Sequence, residues 1–190
     1  PMNVYDLSRD RIKYTFENFD NIYLSFSGGK DSGVMLNLVI DYMRKHSIKK
    51  KIGLFHIDYE AQYQMTTDYV DLVYSQNKDL FDYYRVCLPI AAQCCTSMDQ
   101  SYWLPWEDKN KDIWVRDLPD DCINENNHNF DFYQKGMWDY EFMEKFSEWI
   151  HNKCNGGKTA CFVGIRTQES FNRWRAVSYT HLTLPTIYSV

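Results

Sequence analysis

A polar, glycine-rich turn between an apolar strand and an amphipathic helix constrains the fold of this chain most. Residues 21–26 read NIYLSF, residues 27–32 read SGGKDS, and a helical pattern starts at Gly33. That pattern repeats apolar side chains at helical spacing on one buried face, made of Met35, Leu36, Val39, Ile40 and Met43. A strand, a tight turn and a helix in this order open a crossover unit, which favours a parallel sheet.

The alternation of strands and helices continues along the chain. We predict strands over 51–57, 83–88 and 159–165, helices over 66–77 and 138–153, and a short first helix over 9–19 with Ser8 as its cap. Thr66 or Thr67 would cap the helix over 66–77. The pattern decays between 91 and 136, which we interpret as a long irregular insertion with a functional role. The chain is therefore expected to be α/β, with a mainly parallel twisted sheet.

The turn has the chemistry of a phosphate site. Gly28 and Gly29 lack Cβ atoms, so successive backbone N–H groups can converge on an anion at the start of a helix, where the helix dipole adds positive charge. Ser27 and Ser32 supply hydroxyl groups and Lys30 supplies a full charge. It is not a Walker loop, because position 24 is leucine where that motif needs glycine. A simple Gly-Gly turn with solvated Lys30 and Asp31 is the alternative.

Three segments together resemble the PP-loop ATP pyrophosphatase superfamily, and within it the phosphoadenosine phosphosulfate (PAPS) reductase family. They are the SGGKDS turn, FHIDYEAQYQMTTDYV over residues 55–70, and GIRTQESFNRWR over residues 164–175. The resemblance implies the three-layer adenine nucleotide alpha hydrolase-like fold for residues 1–176. It is greatest to the IbrA-like subgroup, which is described as co-activators of prophage gene expression.

The resemblance also implies a set of site residues. Those around the nucleotide phosphates or the sulfate-bearing group would be Ser25, Ser27, Gly28, Gly29, Lys30, Asp31, Ser32 and Gly164. Asp58 would face the adenosine or hold Mg²⁺. Arg166, Glu169 and Arg173 would close over the phosphosulfate end, since Arg grips oxyanions bidentately. A surface ion pair of Arg166 and Glu169 is the alternative.

The resemblance implies an enzyme that binds ATP or a PAPS-like nucleotide and reacts at the α-phosphate or the sulfate, with Lys30, Asp58 and Arg166 as catalytic residues. The alternative is a non-catalytic nucleotide-binding co-activator that acts through a regulatory protein partner. Reductases of this family act through a cysteine in a C-terminal tail, and this sequence shows no counterpart, so reductase activity is not favoured.

The six cysteines follow no regular spacing and include no CxxC pair. We therefore expect thiols rather than disulfides, and no iron–sulfur cluster, which needs four convergent ligands. Cys94, Cys95, Cys122 and His128 form a weak zinc candidate, since their spacing fits no closed zinc pattern.

Other candidates allow two interpretations each. His56 is either a general acid or base beside Asp58, or a core residue of its strand. The aromatic side chains Tyr102, Trp103, Trp106 and Trp114 either stack on adenine or nucleic-acid bases or form a protein-facing patch.

Charge and hydropathy limit the kinds of partner that we expect for this protein. The chain has 26 acidic and 21 basic residues, a formal charge of -5, which gives no strong nucleic-acid signal. No apolar run is long enough to span a membrane and no leader pattern is present, so we expect a cytoplasmic protein without membrane association.

The last residues differ in composition from the rest. Residues 177–190, VSYTHLTLPTIYSV, contain no Asp, Glu, Lys or Arg, and they resemble translated sequencing-adapter DNA. We interpret them as a non-native tail, and Pro1 as a sign of a fragment. A Thr-rich final strand is the alternative.

Overall fold

The computed structural model describes residues 3–94, 97–154, 156–165, 171, 174 and 187–189. Its helices are α1 (Val4–Asn18), α2 (Lys30–Lys45), α3 (Gln64–Gln76) and α4 (Asp139–Lys153), with a 3-10 helix over Asp108–Ile113. Its strands are β1 (Asn21–Ser25), β2 (Ile52–Ile57), β3 (Phe81–Val86), β4 (Ala92–Gln93), β5 (Tyr102–Trp103), β6 (Thr159–Val163) and β7 (Ile187–Ser189).

Five strands form one parallel sheet in the order β3-β2-β1-β6-β7. The centre of this sheet is β1, which pairs with β2 on one side and with β6 on the other. The predicted α/β class with a mainly parallel sheet is confirmed.

Helices cover both faces of the sheet. On one face α1, α2 and α3 pack over the sheet through a cluster that includes Ile12, Leu36 and Val73. On the other face α4 packs through Phe142, Phe146 and Ile150. The predicted three-layer arrangement is confirmed, because a sheet buried on both faces needs a helical layer on each side.

Two predicted helix starts are wrong. The cap of α1 is Asn3, whose side chain accepts a hydrogen bond of 2.9 Å from the Asp6 amide, whereas Ser8 lies inside the helix and donates to the Val4 carbonyl. Likewise α3 begins at Gln64 after Tyr63, and the Thr67 hydroxyl donates to the Gln64 carbonyl within the helix. Hydroxyl groups can bond to a carbonyl one turn back, so they do not mark caps unambiguously.

The segment over 91–136 is irregular, as predicted, but it is anchored to the sheet. It contains the two-stranded β4–β5 pair and the 3-10 helix, and it touches the end of β3 through a bridge between Val86 and Ile123. A bridge between Ala91 and Trp138 holds the two ends of this segment together, next to the start of α4.

Within the predicted tail, only residues 187–189 are described, as strand β7 beside β6. The interpretation of 177–190 as non-native, and the domain boundary at 176, stay predictions. Among the described residues no helix is long and apolar enough to cross a membrane.

Candidate functional site

The loop over residues 25–32 lies where the sheet reverses its strand order. Ser25 ends β1, and it is paired with Phe55 of β2 and Val163 of β6. The chain runs from β1 towards β2 on one side, whereas β6 lies on the other. In open parallel sheets this crevice at the carboxyl ends of the strands is the usual place for a ligand.

The serines hold the loop in shape. The Ser32 hydroxyl lies 2.9 Å from that of Ser27 and donates to the Gly29 carbonyl at 3.1 Å. The Ser27 Oγ accepts the Gly29 amide at 3.3 Å, while Ser32 is buried. The two hydroxyls predicted to face a phosphate are thus engaged with the loop and with each other.

Glycine is required at the turn and under it. Gly28 has φ +76°, and a Cβ there would lie 2.7 Å from Thr66 Cγ2 of α3. A Cβ on Gly164, just after β6, would lie 3.0 Å from the Ser32 Cα and amide nitrogen. The segment that begins the GIRTQES element therefore packs directly against the first turn of α2.

The start of α2 is open to an anion. The cap of this 16-residue helix is Gly29, which has no side chain to bond to the helix, and Lys30, the first residue of the helix, is exposed. Asp31 also lies in the first turn. Amides without an intrahelical acceptor, together with the helix dipole, attract negative charge.

A groove of about 550 Å³ starts at this loop. It runs from Gly29 and Lys30 along α2 to Lys45, between Tyr5 of α1 and Tyr69 of α3. The groove is large enough for a small ligand.

Asp58, which follows β2, lies in a buried ion network. It is fully buried; Oδ2 accepts hydrogen bonds of 3.1 Å from the Arg85 guanidinium, and Oδ1 accepts from the Arg116 guanidinium and the Glu60 amide. Both carboxylate oxygens therefore have partners already, and Asp58 does not fit the role of a Mg²⁺ ligand. These contacts favour a structural role for Asp58, and its catalytic role at the nucleotide stays a prediction.

The same network anchors the insertion. The Glu60 carboxylate accepts the Trp106 and Val115 amides, each at 3.0 Å, and the Asp58 carbonyl accepts the Trp106 indole N–H at 2.6 Å. Glu60 has a left-handed backbone, φ +65°, which such contacts stabilise. Trp106 is 2% exposed, so it fits neither of the two interpretations from the sequence, base stacking or a protein-facing patch.

Glu60, Arg85 and Arg116 were not singled out from the sequence. The available signal was Arg85, a charged residue within the apolar run YYRVCL, since a buried Arg needs carboxylate partners. Arg85 also meets Asp71 of α3 at 2.6 Å.

His56 is a core residue. It is 1% exposed, and its Nδ1 lies 2.7 Å from the Phe26 carbonyl at the start of the loop. Burial lowers the pKa of His56 below its usual 6.5, which keeps the ring neutral near pH 7. The core interpretation fits these contacts better than an acid–base role.

The zinc candidate gains no support. Within the described part of the chain, which omits Cys95, no three His, Cys, Asp or Glu side chains converge on a metal-sized site. Cys122 lies against Cys87, which was not part of that candidate. The zinc site stays a prediction because Cys95 lies outside the described residues.

Three residues predicted to contact the phosphosulfate lie outside the described residues: Arg166, Glu169 and Arg173. Phe171 and Trp174 of the same segment are exposed and their rings stack, with centroids 5.8 Å apart.

Comparison with known proteins tests the predicted family resemblance. Residues 21–91 match the phosphoadenosine phosphosulfate reductase domain. The chain is 37% identical over 179 residues to an uncharacterized protein, YbdN, of Escherichia coli K12, which covers 94% of this chain and 42% of YbdN.

Two crystal structures of Candida glabrata FMN adenylyltransferase are similar to this chain. One is a variant, with 15% sequence identity, and the other is a complex with FAD and inorganic pyrophosphate, with 16% identity. Each match covers 98% of this chain and 50% of theirs, with TM-scores of 0.47 and 0.44. The chain thus spans half or less of the length of these relatives.

The matched segment includes the loop over 25–32 and Asp58, two of the places on which the resemblance was based. Similarity to the IbrA-like subgroup stays a prediction. From residue 21 to residue 91, this chain is similar to the phosphoadenosine phosphosulfate reductase domain.

Proposed function

We propose that this chain binds an adenine nucleotide, ATP or a PAPS-like sulfonucleotide, with its phosphates or its sulfate-bearing end on the loop over 25–32. The observation that carries the proposal is the uncapped start of α2. The cap of this long helix is a glycine, and the positive end of the helix dipole lies there, at the strand-order reversal of the sheet, with Lys30 exposed beside it.

Gly28 and Gly164 fit the same role. Gly28 lets the backbone turn under the ligand, while Gly164 brings the segment after β6 against the first turn of α2. Arg166, Glu169 and Arg173 follow Gly164 closely in sequence, so in this proposal they close over the same anion.

The proposed reaction is transfer at the α-phosphate or at the sulfate. In nucleotidyl transfer an acceptor attacks the α-phosphorus, the bond to the bridging oxygen breaks, and pyrophosphate leaves with added negative charge. Lys30, Arg166 and the amides at the start of α2 would stabilise that charge, which is the largest contribution an enzyme of this type makes.

A second candidate is a nucleotide-binding regulator without turnover. The observation that favours it is Asp58, whose carboxylate is fully engaged by Arg85, Arg116 and the Glu60 amide. An acid neutralised in this way leaves the loop able to bind phosphate but removes the metal ligand that the resemblance implied.

A two-part assay separates the candidates. We would measure the melting temperature with millimolar ATP or PAPS, and pyrophosphate release from ATP, for the wild type and Lys30→Ala. Lys145→Ala is the matched control, because Lys145 lies on α4 across the sheet and pairs only with Glu141 among the described residues. A ligand at 100 times its Kd stabilises by about 2.7 kcal/mol.

Turnover that Lys30→Ala abolishes and Lys145→Ala preserves supports the enzyme. A melting shift without turnover, lost in Lys30→Ala, supports the regulator. If neither nucleotide shifts the wild-type melting curve, both candidates are wrong.

A further inference from the structure

Cys87 and Cys122 come from distant parts of the chain and meet at the end of β3. Cys87 follows β3, and Cys122 lies in the insertion, 35 positions later. Two backbone hydrogen bonds hold the segments together: the Cys87 amide donates to the Ile123 carbonyl at 2.8 Å, and the Ile123 amide donates to the Arg85 carbonyl at 2.7 Å.

The two thiols lie in one buried cluster together with Trp106. The Asn124 side-chain amide donates a hydrogen bond of 3.7 Å to the Cys122 sulfur. A donor on a sulfur stabilises its thiolate form. Cys122 is thus the better nucleophile of the pair, and Cys87 is the thiol held beside it.

Their surroundings strengthen this asymmetry. The neighbouring Cys87 thiol lowers the pKa of Cys122 to about 7, with help from the Arg85 charge, whereas burial raises the pKa of Cys87 well above its usual value. The pair packs against Trp106 in a small apolar cluster. Cys122 itself is only 4% exposed, but Asp120 and Asp121, which immediately precede it, are exposed, so Cys122 lies just beneath the surface.

We propose that Cys87 and Cys122 are a reversible oxidation site, which a peroxide or a small disulfide converts to a Cys87–Cys122 disulfide that fastens the insertion to β3. This inference does not depend on nucleotide binding. The described cysteines are free thiols in the structure, as the sequence predicts, and the proposal concerns only the oxidised form of this pair.

The reaction balances with a peroxide as oxidant. The Cys122 thiolate attacks one peroxide oxygen, the O–O bond breaks, and Cys122 becomes a sulfenic acid while hydroxide leaves. The Cys87 sulfur then attacks the Cys122 sulfur, a water molecule leaves with the Cys87 proton, and the disulfide forms. Two electrons pass from the two sulfurs to the peroxide, and a dithiol reductant reverses the step.

Disulfide mapping tests the proposal. Trypsin leaves Cys122 in residues 117–135 and Cys87 in residues 86–109, which also contain Cys94 and Cys95. The folded protein is therefore treated with hydrogen peroxide both as the wild type and as the Cys94→Ser/Cys95→Ser variant. We expect a cross-link between the two peptides in both proteins, removed by dithiothreitol, and unchanged in a Cys154→Ser control that lacks an exposed thiol.

Single variants give the order of the steps. Cys87→Ala removes the partner thiol, so Cys122 is expected to stop at sulfenic or sulfinic acid. The same variant removes the neighbouring thiol that lowers the pKa of Cys122, so alkylation of Cys122 at pH 7 is expected to slow roughly five- to tenfold. Far-UV circular dichroism checks that the variants stay folded.

Two outcomes would overturn the proposal. One is a wild-type protein in which Cys87 and Cys122 both remain alkylatable after the peroxide has oxidised Cys154. The other is a cross-link that disappears in the Cys94→Ser/Cys95→Ser variant, which would assign the oxidation to one of those residues.

Discussion

Replacing Gly28 by alanine tests the geometry of the phosphate loop directly. Alanine at φ +76° costs about 1–2 kcal/mol, because its Cβ crowds the backbone in the left-handed region. The new Cβ would also lie 2.7 Å from Thr66 Cγ2, well inside the usual 3.5–4.0 Å contact, and overpacking of this kind costs about 1–3 kcal/mol. We expect Gly28→Ala to lower the free energy of unfolding by about 2–5 kcal/mol.

Two further variants separate these contributions. Gly136 has a similar φ of +81°, but a Cβ there has no heavy atom of the described residues within 4 Å, so Gly136→Ala should show the backbone cost alone. Thr66→Ser removes the clashing methyl group, so the double variant Gly28→Ala/Thr66→Ser should regain about 1–2 kcal/mol relative to the sum of the single changes. Urea denaturation followed by circular dichroism measures the wild type, the three single variants and the double variant.

The result that refutes this reasoning is equally specific. If Gly28→Ala costs no more than Gly136→Ala, or if Thr66→Ser restores nothing, the loop does not pack against α3 as the structure shows. Because Gly28 lies at the proposed phosphate site, the ATP-induced melting shift should also fall in Gly28→Ala and stay unchanged in Gly136→Ala.

Two further predictions concern the buried groups beside the loop. Asp58→Asn removes the buried carboxylate that Arg85 and Arg116 share, and Arg85 keeps only its partners at the surface, such as Asp71. This change should lower the free energy of unfolding by about 3–5 kcal/mol in urea denaturation. Asp41→Asn, which breaks an exposed helical pair, should cost under about 1 kcal/mol. The pKa of His56 is lower in the folded protein than in the unfolded chain. The contribution of neutral His56 to stability is therefore complete above about pH 6.5 and is lost as the pH falls towards the folded pKa. Over that range the free energy of unfolding should fall by up to about 1.4 kcal/mol per pH unit. His56→Gln should flatten that part of the pH profile, and an unchanged slope would show that another group titrates there.

The regular elements near the loop were predictable because their signals are local. Apolar runs and helical spacing located β1, α2, β2 and α4 to within a few residues, and the Gly-Gly turn located the loop between them. The helix caps at Asn3 and Tyr63 were missed, because Ser8 and Thr67 can donate hydrogen bonds to carbonyls inside a helix as readily as they cap one.

The contacts of the site were less predictable than its position. That Ser27 and Ser32 bond to each other depends on how the turn closes, which residue type alone does not specify. The partners of Asp58 come from β3 and from the insertion, 27 and 58 positions away, and no periodicity links such residues. A single sequence shows that Arg85 needs a carboxylate, but it does not show which one.

The ion network also bears on where positive charge remains for a ligand. Arg85 and Arg116 are both committed to Asp58, and Arg116 also donates to the Glu60 carbonyl. Among the described residues lining the groove, Lys45 is paired with Asp41, whereas Lys30 forms no salt bridge. An anion at the start of α2 would therefore meet Lys30 and the positive end of that helix first. This is why Lys30→Ala, rather than a change at Asp58, is the substitution that separates nucleotide binding from folding.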